Sequence, residues 1–169
     1  MSASVSVAVR SYTHAVTYVA DNILKSLKDI LLYSGLDPNK LAANRAVLHR
    51  GISAWIESGH LLKIVLEVYA SSTNKLVDRW DINLSYEWTG GDGQFWTDTD
   101  AIRFAIQKAG LMPASAEYEL IVAVAPGAAE VPGWSTTKCR STAGMVEQRI
   151  GTSIEASGLS GGISYYRKR

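Results

Sequence analysis

Asp92, Asp98 and Asp100 are the closest grouping of residues able to do chemistry in this chain. A divalent cation wants several oxygen donors on a tight loop, and a metal held there would suit a phosphodiester hydrolase. Their spacing lacks the pattern of a calcium loop, and Asp98 and Asp100 stand where the start of a helix favours acids. A role in capping a helix is the better reading of these two. His14, His49 and His60 fall on different elements with no paired spacing, so no metal site is expected. There is no HExxH, no paired CxxC and no GxxxxGK[ST], and Gly90-Gly91-Asp92-Gly93 alone is too weak for a nucleotide loop. Cys139 is the single cysteine, which excludes an intrachain disulfide framework and fits a reducing cytosol. A catalytic thiol needs a base and an electropositive niche; neither can be placed beside Cys139, so a spare thiol is expected. With no reactive constellation and no cofactor expected, the reading is a binding module rather than an enzyme. Among the tryptophans, Trp55 and Trp80 fit core positions. Trp88, Trp96 and Trp134 sit near element ends, where they either pack under loops or line a protein-binding groove.

The elements that would position these residues belong to one domain. The chain has 169 residues, 47% hydrophobic and 20% charged, with a formal net charge of +1. That is the composition of an ordinary soluble domain with a proper core. Its one basic run is Arg167-Lys168-Arg169, so no direct contact with nucleic acid is expected. No stretch approaches the roughly 18 apolar residues of a membrane span, and residues 1–10 do not read as a secretory signal. No membrane contact and a cytoplasmic location are expected.

Val5, Val7 and Val9 alternate with small residues, which suggests a short edge strand or a frayed tail over residues 1–10. Val16, Ala20, Ile23, Leu27, Ile30 and Leu31 form a helical stripe over residues 13–34, stopped by Gly35. Asp37 as N-cap and Pro38 at the first helical position begin a second helix, which Gly59 ends. Leu62, Ile64, Leu66 and Val68 mark a strand over 60–70, and residues 75–88 form a second strand joined to it as a hairpin. A third helix starts at Thr97 or Asp98 and reaches Gly110. Residues 117–125 make a strand that is apolar on both faces, so both faces are expected to be covered. The tail, 127–169, is rich in glycine yet never loses its apolar residues. It reads as irregular strands able to pair in more than one way.

Three stretches and this tail resemble the bacterial HORMA-domain proteins. The first runs from Ser11-Tyr12-Thr13-His14 into Asp21-Asn22-Ile23-Leu24-Lys25. The second is Arg79-Trp80-Asp81-Ile82, and the third Phe95-Trp96-Thr97-Asp98-Thr99. In the tail, Arg140-Ser141-Thr142 and Gly144-Met145-Val146 carry the likeness. The resemblance implies an α+β HORMA-like fold: a three-stranded, mostly antiparallel core sheet with three helices packed on it and a C-terminal safety-belt segment. It divides the chain into a tail or edge strand at 1–10, a core at 11–126 and a belt at 127–169.

The same resemblance implies an adaptor that closes its belt around a closure-motif peptide and then binds and activates a cGAS-like nucleotidyltransferase in antiphage second-messenger signalling. An AAA+ ATPase of the pachytene-checkpoint type would reopen it by gripping Val5, Val7, Val9 and Arg10. The alternative within the family is a paralogue that supplies or holds a second HORMA protein. The strand at 60–70 would be central, with the closed belt beside the strand at 75–86. The peptide would lie beside Glu117, Tyr118, Glu119, Leu120, Ile121, Val122, Ala123 and Val124, enclosed by Trp134, Met145, Val146, Ile150 and Ile154 of the belt. Deleting 127–169 is expected to leave a foldable but less stable core.

Overall fold

The computed structural model describes residues 2–87, 95–113 and 115–168, with side chains from Tyr12 onward. Trp88 and Asp92 lie outside the described residues, as do the side chains of Val5, Val7, Val9 and Arg10.

The first helix, α1 (Ser2–Tyr33), buries Val16, Val19, Ala20, Ile23, Leu27, Ile30 and Leu31 on one stripe, as the three- and four-residue spacing requires. Gly35, at φ +84°, turns the chain out of it, and the Leu36 N–H closes the end on the Leu31 carbonyl at 2.8 Å. The expected second helix is two: α2 (Asn39–Ala43) and α3 (Arg45–Glu57). Asn44 interrupts them, its side-chain amide donating back to the Lys40 carbonyl at 2.8 Å. Asp37 does not cap α2 as expected. Its carboxylate accepts from the Asn39 N–H at 2.9 Å in an Asx turn, and Pro38 takes the cap position. After α3 come the strands β1 (Leu61–Ala70), β2 (Leu76–Tyr86) and β3 (Phe95–Thr97), then α4 (Thr99–Ala109), β4 (Ala116–Val124), β5 (Met145–Ala156) and β6 (Leu159–Lys168).

The six strands form one sheet in the order β3-β5-β6-β2-β1-β4, with every pairing antiparallel. This corrects the expected three strands and three helices to six and four among the described residues. The tail supplies most of the difference, because residues 145–168 are a hairpin within the main sheet. It turns at Ser157 and Gly158, both at positive φ as a two-residue hairpin loop demands. β1 is central to its neighbours as expected, between β2 and β4. The expected N-terminal strand is also corrected: residues from Ser2 continue α1. Its alternating residues include alanine and serine, which a helix accepts, and the β2 edge it would have joined is taken by β6 from Asp78↔Arg167 to Tyr86↔Leu159.

The sheet has two unlike faces. On one, Ile64, Leu66, Trp80, Ile82, Ile163 and Tyr165 are buried against the helices, with Trp80 stacked on Tyr165 at 4.7 Å. α1 runs under this face, touching α3, α4, β5 and β6. On the other face sit Glu67, Arg79 and Asp81, buried and charged. Arg79 forks onto Asp81 at 2.8 and 2.9 Å, and Lys63 approaches the same carboxylate at 3.6 Å.

Asp78, on the Trp80 side, is buried as well. Burial pushes its carboxyl up to about 7, against the pull of hydrogen bonds from the Arg79 N–H and the Trp80 indole and of the Arg167 charge. Because the folded value lies above the unfolded one, the stability it contributes is complete below about pH 4 and is lost as the pH rises through about 7. Unfolding free energy from urea titration should therefore fall between pH 5 and pH 8, and Asp78→Asn should flatten that fall. Parallel profiles for the two proteins would show that another group sets the dependence.

Candidate functional site

β4 ends the sheet, and its outer edge is free for much of its length. The Tyr118 end is tied down: its hydroxyl donates to the Asp37 carbonyl at 2.9 Å and accepts from the Leu41 N–H at 3.2 Å, while Lys40 Nζ donates to the Tyr118 carbonyl at 3.2 Å. Beyond it, residues 119–124 present an edge to which, among the described residues, no backbone hydrogen bond from 127–144 is made. A nine-residue edge strand with apolar side chains invites another chain to pair with it. The expectation that both faces of this strand are covered holds unevenly. Ile121 is buried, whereas Val124 is 37% exposed.

Residues 127–144 pass around this edge as a strap and are pinned on both sides of the sheet. On the helix side, the Trp55 indole donates to the Ala129 carbonyl at 2.7 Å, and the Trp134 indole donates to the Val47 carbonyl at 3.2 Å. The two indoles meet edge to face at 5.1 Å. Gly51 makes this possible, since a Cβ there would lie 2.3 Å from the Trp134 indole nitrogen. On the polar side, Arg140 is the pin. Its Nη1 donates to Glu67 at 2.6 Å and Glu119 at 2.9 Å, its backbone N–H donates to Glu67 at 2.6 Å, and its Nη2 donates to Asn74 at 2.9 Å. The guanidinium also lies 3.6 Å from the Tyr69 ring centroid. Glu67 has no exposed side-chain surface, and Arg140 is its ion-pair partner there. Between the two pins, residues 135–139 arch over the β4 edge, and extended residues in that number reach about 17 Å. Strap and edge enclose an open cleft of about 700 Å³, walled by Trp55, Leu120, Val122, Val124, Val131 and Trp134 among others.

Of the expected site residues, Leu120, Ile121, Val122, Val124 and Trp134 line this cleft. Glu119 is held at its polar margin by Arg140. Glu117 accepts from the Tyr69 hydroxyl at 3.1 Å, and Ala123 pairs with Lys63. Met145, Val146, Ile150 and Ile154 are not brought there and are corrected: they lie in β5, with β6, β2 and β1 between them and β4. The hairpin carries them to the far side of the sheet, where Ile154 is fully buried in the core. Sequence reasoning missed Glu67, Gly51 and Arg140 as parts of the site. A lone glycine inside a helical pattern was the available signal for Gly51.

Asp98 accepts from the Ala101 N–H at 2.9 Å as the N-cap of α4, with Asp100 in the first turn. No group of three His, Cys, Asp or Glu that could hold a metal occurs among the described residues. Cys139 lies on the strap near Arg79 and Glu67. Burial pushes its thiol up while Arg79 pulls it down, so the site does not favour the thiolate. No helix among the described residues is long and apolar enough to cross a membrane.

The sequence model described as bacterial HORMA domain 2 matches residues 4–169. No curated protein matches the sequence. Several solved structures share the fold. One chain of a mitotic checkpoint complex superposes with a TM-score of 0.68 at 9% identity, covering 89% of this chain and 98% of that one. HTP-2 of C. elegans, bound to a HIM-3 closure motif, gives 0.66 at 12% identity, covering 90% and 87%. A CdnC:HORMA-deltaN complex of E. coli MS115-1 gives 0.62 at 10% identity, covering 93% and 89%.

Proposed function

The chain belongs to the bacterial HORMA domain 2 family, and from that premise we propose that it is a conformation-switching adaptor: it binds a closure-motif peptide, then binds and activates a cGAS-like nucleotidyltransferase in antiphage signalling. The observation that carries this reading is the path of the tail. β6 occupies the edge of β2, the strap arches over β4, and among the described residues no strand pairs with the β4 edge beneath it. We read this as the closed arrangement, with the β4 edge left for a strand that a peptide would add by β-augmentation. The HTP-2 and CdnC:HORMA complexes support the two halves of the proposal, peptide capture and nucleotidyltransferase binding.

Release then requires β6 to leave β2. Their register runs from Asp78↔Arg167 to Tyr86↔Leu159, and at about 1 kcal/mol net per ladder bond the cost amounts to several kcal/mol. An AAA+ ATPase pulling on the start of α1, where Val5, Val7, Val9 and Arg10 lie, is the agent we assign to that work.

The test is to mix the purified protein with a cGAS-like nucleotidyltransferase from the same genome, and to measure complex formation and second-messenger synthesis with and without it. A stable complex and raised synthesis are expected. Neither binding nor stimulation would reject the proposal.

A further inference from the structure

The geometry points to a size-selective compartment on the helix side of the cleft, built to take one bulky apolar side chain of the bound peptide, with Gly51 setting its depth. This rests on the peptide-binding reading above and deepens it by naming the chemistry of the peptide.

A strand added to the free edge of β4 would point alternate side chains to the two sides of the sheet. Those on the helix side continue the row of Leu120 and Val122. They enter the space bounded by Trp55, Val131 and Trp134. Nothing in that space is cationic among the described residues, and its one ionisable wall residue is Glu130. An acidic side chain entering it would meet a like charge beside the indoles, and a small polar one would leave the indole walls unfilled; the cleft's hydroxyl residues, Ser135, Thr136 and Thr137, lie on the arch of the strap. A branched aliphatic or an aromatic side chain matches both its polarity and its room.

The Trp134 wall has an adjustable position, and Gly51 determines it. The indole lies in the place a Cβ would take on α3, at 2.3 Å from the ideal atom. A methyl group there forces Trp134 off the helix, and with it the part of the strap that carries it. The indole then moves into the compartment and shortens it. Alanine is also the better helix former by about 1 kcal/mol in a helix interior, so Gly51→Ala perturbs the strap without weakening α3.

The experiment is selection from a display library of random peptides on the wild-type protein, on Gly51→Ala and on Trp134→Ala. Selected peptides are then measured by fluorescence anisotropy, and circular dichroism checks that all three proteins are folded. The wild type is expected to select Leu, Ile, Met or Phe at one fixed position. Gly51→Ala should bind those peptides about tenfold more weakly and shift the preference at that position toward Ala or Val. Trp134→Ala should blur the preference. Peptides selected without a fixed apolar position, or a preference unchanged in Gly51→Ala, would overturn the compartment while leaving peptide binding intact. If the wild type retains no peptide at all, the peptide-binding reading itself falls, and the compartment with it.

Discussion

Replacing Arg140 with methionine is expected to cost about 3 kcal/mol of stability and to abolish retention of peptide. The cost comes from what is left behind more than from what is removed. Glu67 has no exposed side-chain surface, and Arg140 supplies two of its hydrogen bonds, one from the guanidinium and one from the backbone. Removing one partner of a buried ion pair strands the other, typically at 3–5 kcal/mol; the lower end applies here because Arg140 keeps 17% of its side chain exposed and water reaches the pair. The backbone hydrogen bond survives the substitution, which also moderates the loss. The Glu67→Gln, Arg140→Met double variant should recover much of the stability, since no unpaired carboxylate is left at position 67, yet it should still lose peptide quickly because the strap is unpinned. Chemical denaturation and peptide off-rates separate the two effects. A double variant with a wild-type off-rate would show that Arg140 stabilises the fold without closing the strap.

Deleting 145–169 should leave no cooperatively folded core, contrary to what the chain alone suggests. The hairpin contributes Ile154, Leu159, Ile163 and Tyr165 to the buried face, all at or below 3% exposure. At about 1.5–3 kcal/mol for each large side chain, their loss is comparable to the entire 5–15 kcal/mol stability of a typical domain. The deletion also uncovers Trp80, stacked on Tyr165, and leaves β2 as a long unpaired edge. A shallow, non-cooperative thermal transition and aggregation on size-exclusion chromatography are the expected outcomes. A sharp transition would mean that the remaining strands and helices suffice alone.

These two changes mark where the fold was legible and where it was not. α1 from Val16 to Leu31 and the middle of the β1–β2 hairpin, from Ile64 to Val68, each keep a single period, and the pattern places them; Leu62, which the same alternation puts on the apolar face, is exposed where the register shifts between Leu61 and Lys63. The tail does not. Its register slips between Arg149 and Gly151 and again between Thr152 and Ile154, so its apolar residues obey neither the helical nor the strand period although they lie in one hairpin. β3, with three residues, is too short to show a period at all. The site depended on the same difficulty. The β4 edge was readable as an apolar strand, and Trp134 as an aromatic at an element end. The pairing of Arg140 with Glu67 joins residues 73 positions apart, and only the path of the strap brings them together. Gly51 stands out as a lone glycine in a helical pattern, but the Trp134 indole it makes room for is 83 positions away and is shown only by the fold.

The strap also has a topological meaning. It is continuous with β4 at one end and β5 at the other, and it is fastened to α3 by Trp134 and to β1 by Arg140. Edge, arch and fastenings thus make a closed ring. A strand lying through it is threaded, as an axle is through a wheel, and a folded domain at each end of that strand acts as a stopper. Its residence time is then governed by how often the ring breaks rather than by the affinity of the strand. Exchange should accordingly be indifferent to the concentration of a competing peptide.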